Sequence, residues 1–126
     1  MKLDAVSVAS TNLEKTARFY SLLGFMFPAV ARETKHLESI SPPGEVRLMI
    51  DDHAMVKSIM GRNPAAPAHS SFAIKCASPR QVDAAVAAIH KAGFVVVTEP
   101  WDAFWGQRYA IVADPNGYMS DLFAAL

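Results

Sequence analysis

The chain has a single cysteine, Cys76, among 126 residues, so no intrachain disulfide can form, and a reducing compartment fits. Ile74 and Ala77 flank that cysteine closely, and it reads as a small buried hydrophobe rather than a catalytic thiol. No apolar run approaches the roughly 20 residues that cross a bilayer. An acidic residue, Asp4, stands where a secretory leader would carry its apolar stretch. Charge of one sign is also missing. Twelve basic residues balance twelve acidic ones, which removes the basic footprint of a nucleic-acid binder. Glycines are few and isolated, so there is no phosphate-cradling loop. No serine sits in a nucleophile-elbow context. A soluble, cytoplasmic protein with no nucleic-acid or membrane partner is expected. The 52% apolar fraction is inflated by 21 alanines. Even so, at this length folding buries roughly two-thirds of the chain's surface, enough for a core without a structural metal.

Two segments carry the same helix-start signal. Thr11-Asn12-Leu13-Glu14 and Ser78-Pro79-Arg80-Gln81 each place a hydroxyl cap three residues before a Glu or Gln, and Pro79 suits a first helical position. Leu13, Thr16, Ala17, Tyr20 and Leu23 then recur at helical spacing, as do Val82, Ala85, Val86 and Ile89. Gly24-Phe25 and Gly93-Phe94 supply the stops.

Each helix follows an alternating run, residues 3–9 and residues 70–76. Each precedes three extended runs: 25–30, 35–40 and 46–50 in the first half, then 94–98, 108–113 and 119–123 in the second. Pro42-Pro43-Gly44 and Asp114-Pro115-Asn116-Gly117 mark turns at equivalent places. The pattern is β-α-β-β-β written twice, offset by 67 residues at the caps, Thr11 to Ser78. The expected organisation is one domain over 1–126, with module one at 1–51, a linker at 52–68 and module two at 69–126. The linker opens on a short helical patch at Met55, Val56, Ile59 and Met60 and ends in a Pro/Ala-rich stretch.

This double module, with Gly106-Gln107-Arg108-Tyr109, the turn from Asp114 into Met119-Ser120-Asp121-Leu122-Phe123, and Leu22-Leu23-Gly24-Phe25, resembles the vicinal oxygen chelate superfamily. That is the group of glyoxalase I, bleomycin-resistance proteins and extradiol dioxygenases. The resemblance covers essentially the whole chain. It implies an α+β fold in which two βαβββ modules form a curved mixed sheet around a cup, with helices outside. It does not fix an activity, because such folds carry isomerases, dioxygenases, thiol transferases and pure binding proteins.

In metal-dependent members, four side chains from four strands hold a divalent cation. The matching positions here are Ala5, Arg47, Ser71 and Asp121. Of these only Asp121 is a ligand for such an ion, and a guanidinium repels it. No metal and no cofactor are therefore expected. With those positions inward, alternation turns Ser7, Glu45, Met49, Ala73, Met119 and Phe123 inward too. Val6, Val8, Val46, Leu48, Phe72, Ile74 and Leu122 then face the helices. An Arg47–Asp121 ion pair would balance the site, whether as a structural link or as a ligand-orienting one.

Trp101-Asp102-Ala103-Phe104-Trp105-Gly106, with Tyr109 beyond, is too ring-rich for an ordinary loop. It suits a stacking wall for a planar ligand, or equally an interface. Candidate ligand-binding residues are Arg47, Met49, Ser71, Trp101, Trp105, Arg108, Tyr109 and Asp121. The leading expectation is a metal-free protein that holds an apolar or planar small molecule. The alternative is a diverged lyase or isomerase, related to lactoylglutathione lyases, with Asp121, Glu45 or His69 as base. A third reading is a cup closed by its own side chains. A homodimer is expected from two curved modules and a flexible joint.

Overall fold

The computed structural model describes residues 2–126. It divides into two compact units, Met1–Ala65 and Ala66–Leu126.

The first unit opens with strand β1 (Ala5–Ser10), where Val8 and Ser10 are buried on one face and Ser7 is exposed on the other. The chain then enters helix α1 (Leu13–Leu22). The cap is one residue later than Thr11: the Asn12 side chain accepts from Lys15 N at 3.0 Å, and the Ser10 hydroxyl accepts from Asn12 N. Leu13, Thr16, Phe19 and Tyr20 form the buried stripe. Thr16 also shares a 2.7 Å hydroxyl contact with buried Ser10, fastening the helix to the end of β1. Gly24, at φ +93°, ends the helix in a conformation that a side chain disfavours.

The next expected strand, residues 25–30, does not form. Pro28 has no N–H for a ladder, and the segment is bridged to the next strand region from Ile40 N to Met26 O. Short strand β2 (His36–Glu38) and strand β3 (Arg47–Asp52) complete the sheet, in the order β1-β3-β2. β3 runs parallel to β1 and antiparallel to β2. Leu48 and Ile50 pack toward α1, while Glu45 and Val46 fall before the strand. Glu45 is therefore exposed in the 42–45 turn, and Val46 is 42% exposed rather than core. Helix α2 (His53–Met60) follows, capped by Asp52 onto Met55 N and ended at Gly61.

The second unit keeps the full expected order: β4 (Phe72–Lys75), α3 (Pro79–Lys91), β5 (Val95–Ala103), β6 (Gln107–Ala113) and β7 (Met119–Ala125). Ser78 caps α3 with Pro79 at its start, and Gln81 reaches back to Ala77 N at 2.6 Å. The sheet order is β4-β7-β6-β5, with β4 parallel to β7 and the rest antiparallel. Val82, Val86 and Ile89 of α3 pack with Ala110, Val112, Leu122 and Ala124. Buried Cys76 lies just past β4, its N–H bonded to Phe123 O, and burial pushes its thiol up.

The α+β class and the two modules thus stand, as two mixed sheets with peripheral helices. Among the described residues, no helix is long and apolar enough to cross a membrane.

Candidate functional site

Two side-chain clusters occupy the sheet faces turned away from α1 and α3. On the first unit, alternation sends Ser7 of β1, His36 and Glu38 of β2, and Arg47, Met49 and Asp51 of β3 to one face. They join into a row. Ser7 donates to Asp51, the His36 ring donates to Asp51 (2.6 Å) and to Glu38 (3.0 Å), and Arg47 donates to Glu38 and to Asp4. Read in order, Asp51, His36, Glu38, Arg47 and Asp4 alternate in sign when the imidazole is protonated.

Hydrogen bonds to Asp51, then to Glu38, hold His36 above its ordinary range. The same partners act in reverse on the carboxylates. Glu38 is lowered by His36 and Arg47, and Asp4 by Arg47. A histidine raised on folding adds stability that is complete below its unfolded value and fades as pH climbs through the folded one. The ring is 41% exposed, so screening leaves only a few tenths of a kcal/mol. The advantage of the wild type over His36→Gln in urea midpoint is accordingly expected to shrink between pH ~6 and pH ~9. An advantage that grows over that range would contradict the row.

On the second unit the face away from α3 is aromatic. The segment expected to be a loop is largely strand: Trp101–Ala103 closes β5, and residues 104–106 form the tight turn into β6. Strand register then sets Trp101, Tyr109 and Phe123 side by side. Trp101 and Trp105 both meet Tyr109 edge-on, with ring centroids 5.2 and 5.3 Å away, and Phe123 stacks on it at 6.4 Å. Phe104, at the turn, is 97% exposed and leans on Trp105. Asp121, also on this face, accepts from Tyr109 Oη at 2.5 Å and from the Ser70 hydroxyl. Burial, and then that carboxylate, raise the Tyr109 phenol to about 12, so it keeps its proton and serves as a donor.

Several expected residues lie elsewhere. Arg108 is on the opposite face of β6, bonded to Asp83 of α3 at 2.8 Å and to Asp102 at 3.0 Å, so it is not part of the aromatic face. Ser71 is exposed and bonds through its backbone to Met119 O, whereas Ser70, missed in the sequence, is the partner of Asp121. His69 is exposed, with Nδ1 on the Ser70 carbonyl. Arg47 and Asp121 each find partners inside their own unit.

Residues 2–122 match the family model described as Glyoxalase/Bleomycin resistance protein/Dioxygenase superfamily. The chain belongs to that superfamily. Solved structures of similar fold include a glyoxalase-related enzyme from Fulvimarina pelagi, with TM-score 0.80 and 18% identity over 97% of this chain and 86% of that one. A hypothetical protein from S. aureus gives 0.79 and 19%, over 98% and 93%. A glyoxalase/bleomycin resistance protein/dioxygenase family enzyme from Burkholderia phytofirmans gives 0.78 and 15%, over the whole of both chains. At such identities the likeness is one of fold. No curated protein matches the sequence significantly. Superfamily membership supports a small-molecule-binding fold.

The residues present do not fit the metal of the superfamily's metal-dependent members. Ala5 offers no donor atom, and Arg47 brings a cation already engaged by two carboxylates. Among the described residues, no group of three or more His, Cys, Asp or Glu side chains is arranged to hold a metal ion.

Proposed function

We propose that the protein binds a small apolar or planar molecule without a metal, against the ring face of its second unit. The observation that supports this reading is the placement of four rings, Trp101, Trp105, Tyr109 and Phe123, on the sheet face away from α3 rather than in the core beneath that helix. Rings held edge-to-face by one another are stiff, so a flat ligand gains contact area at low entropic cost. The Tyr109–Asp121–Ser70 set adds a fixed polar point beside an apolar wall, the mixture that small-molecule sites use for orientation.

The lyase or isomerase reading has less support. Glu45 is in an exposed turn, the exposed His69 ring has Nδ1 on its neighbour's carbonyl, and each Asp121 oxygen accepts a hydrogen bond from a hydroxyl.

The test is titration of the protein's tryptophan fluorescence with a panel of planar compounds. Trp105→Ala is expected to weaken the best binder roughly tenfold or more. Elemental analysis after exposure to nickel, zinc, manganese and iron, followed by desalting, should show well under one equivalent. A stoichiometric metal that disappears in Asp121→Asn would overturn the metal-free reading. Unchanged affinity in both Trp101→Ala and Trp105→Ala would overturn the ring face as the site.

A further inference from the structure

Asp121 differs from the other carboxylates that the two sheet faces employ. Asp51, Glu38 and Asp4 each meet a basic side chain in the first unit. Asp121 is half-buried, and its two partners, Ser70 and Tyr109, are both neutral hydroxyls. Among the described residues no lysine, arginine or histidine forms an ion pair with it. Lys75, opposite Phe123 in the register and so on the same face, is in none of the ion pairs among the described residues. A partly desolvated carboxylate without a counter-charge is a standing attraction for a cation.

The rings nearest to it are of the same sign. Aromatic faces are negative at their centres, and three rings flank this carboxylate through Tyr109: Trp101 and Trp105 edge-on, and Phe123 stacked. Tyr109 itself donates a hydrogen bond to Asp121, which pushes electron density back into its ring. Trp105 remains 48% exposed, so part of its surface is open to a ligand. Each oxygen of Asp121 accepts one hydrogen bond and so retains a further acceptor direction.

We propose that this face selects an organic cation, a protonated amine carried on a flat aromatic body, with the ammonium beside Asp121 and the body against Trp101 and Trp105. The inference rests on the small-molecule reading above and adds the charge of the ligand. Apolar contact supplies the part of affinity that any flat molecule shares. The carboxylate and the ring faces supply the part that only a cation shares.

The experiment compares three molecules of nearly one shape by isothermal titration calorimetry near neutral pH: 1-naphthylmethylamine, 1-naphthalenemethanol and 1-naphthoate. The amine should bind roughly tenfold or more tighter than the alcohol, and the naphthoate weakest. In Asp121→Asn, with circular dichroism confirming the fold, the amine's advantage over the alcohol should disappear, whatever happens to the alcohol's own affinity. If that variant does not fold, salt decides on the wild type: the amine's advantage should narrow from low to high ionic strength. Equal binding of amine and alcohol, a preference that survives Asp121→Asn, or an advantage indifferent to salt overturns the cation while leaving a planar ligand intact. Failure of all three molecules to bind overturns both readings.

Discussion

Phe19→Ala is expected to lower the unfolding free energy by about 3–5 kcal/mol, the range for removing a large ring from a packed interior. Phe19 is fully buried, and it meets Tyr20 edge-to-face at 4.9 Å between centroids. Its helix packs on β3, the strand that binds both others in the first sheet. The first unit is thin: one sheet of three strands, of which β2 has only three residues. A cavity there has few neighbours able to close over it, which favours the upper part of the range. Urea unfolding followed by far-UV circular dichroism measures the loss. A cost under ~1 kcal/mol would mean that the site collapses without strain, and that α1 is not the lid of this core.

Asp114→Ala should be the costliest single change in the second unit's loops, at about 3 kcal/mol. Asp114 is buried, and one of its carboxylate oxygens accepts from Asn116 N at 2.8 Å and from Tyr118 N at 3.0 Å. Hydrogen bonds to a charged acceptor contribute ~1.5–3 kcal/mol each, and removing the acceptor strands two backbone donors. The turn also returns Gly117 N to Asp114 O and Asp114 N to Tyr118 O, so it sets where β7 begins relative to β6. That register places Asp121 beside Ile111 and Phe123 beside Tyr109. The change should therefore weaken ligand binding as well as stability. Asp114→Asn, which keeps an acceptor oxygen, should recover most of both. Equal damage from the two substitutions would point to the charge rather than the turn.

The second unit was legible because its signals agree. Ser78-Pro79 and Gly93 bracket a helix whose apolar spacing runs unbroken, and Phe72, Ile74 and Leu122 alternate with small or polar neighbours. In the first unit the signals conflict. Phe25, Met26 and Phe27 look strand-like, but Pro28 follows them, and the exposed Met26 side chain finds no ladder to join. The hydroxyl of Thr11 and the amide of Asn12 compete for one cap, and spacing alone cannot choose between residues one apart.

The site was less legible, for reasons of geometry. Adjacent residues on a strand point to opposite faces, so Arg108 and Tyr109 could not share a wall. That rule was available from sequence, and it places Arg108 with Asp83 under the helix. The same rule groups Arg47, Met49 and Asp51 on one face, but β2 is too short to reveal that His36 and Glu38 join them. Ser70 was hidden differently. It precedes the first residue of β4, where alternation no longer governs direction.

In both sheets the strand made last in its unit is an interior one. β3 lies between β1 and β2, and β7 lies between β4 and β6. During synthesis, β4 and the β5–β6 hairpin therefore emerge with no ladder between them. They stay separate until residues 119–125 arrive to join them. The first unit can close while the second is still being translated, but the second must wait with its ring face unassembled, since Phe123 and Asp121 come with the joining strand. The aromatic hairpin then spends that interval as exposed, unpaired edge, which makes it the stretch of the nascent chain most in need of a chaperone's cover.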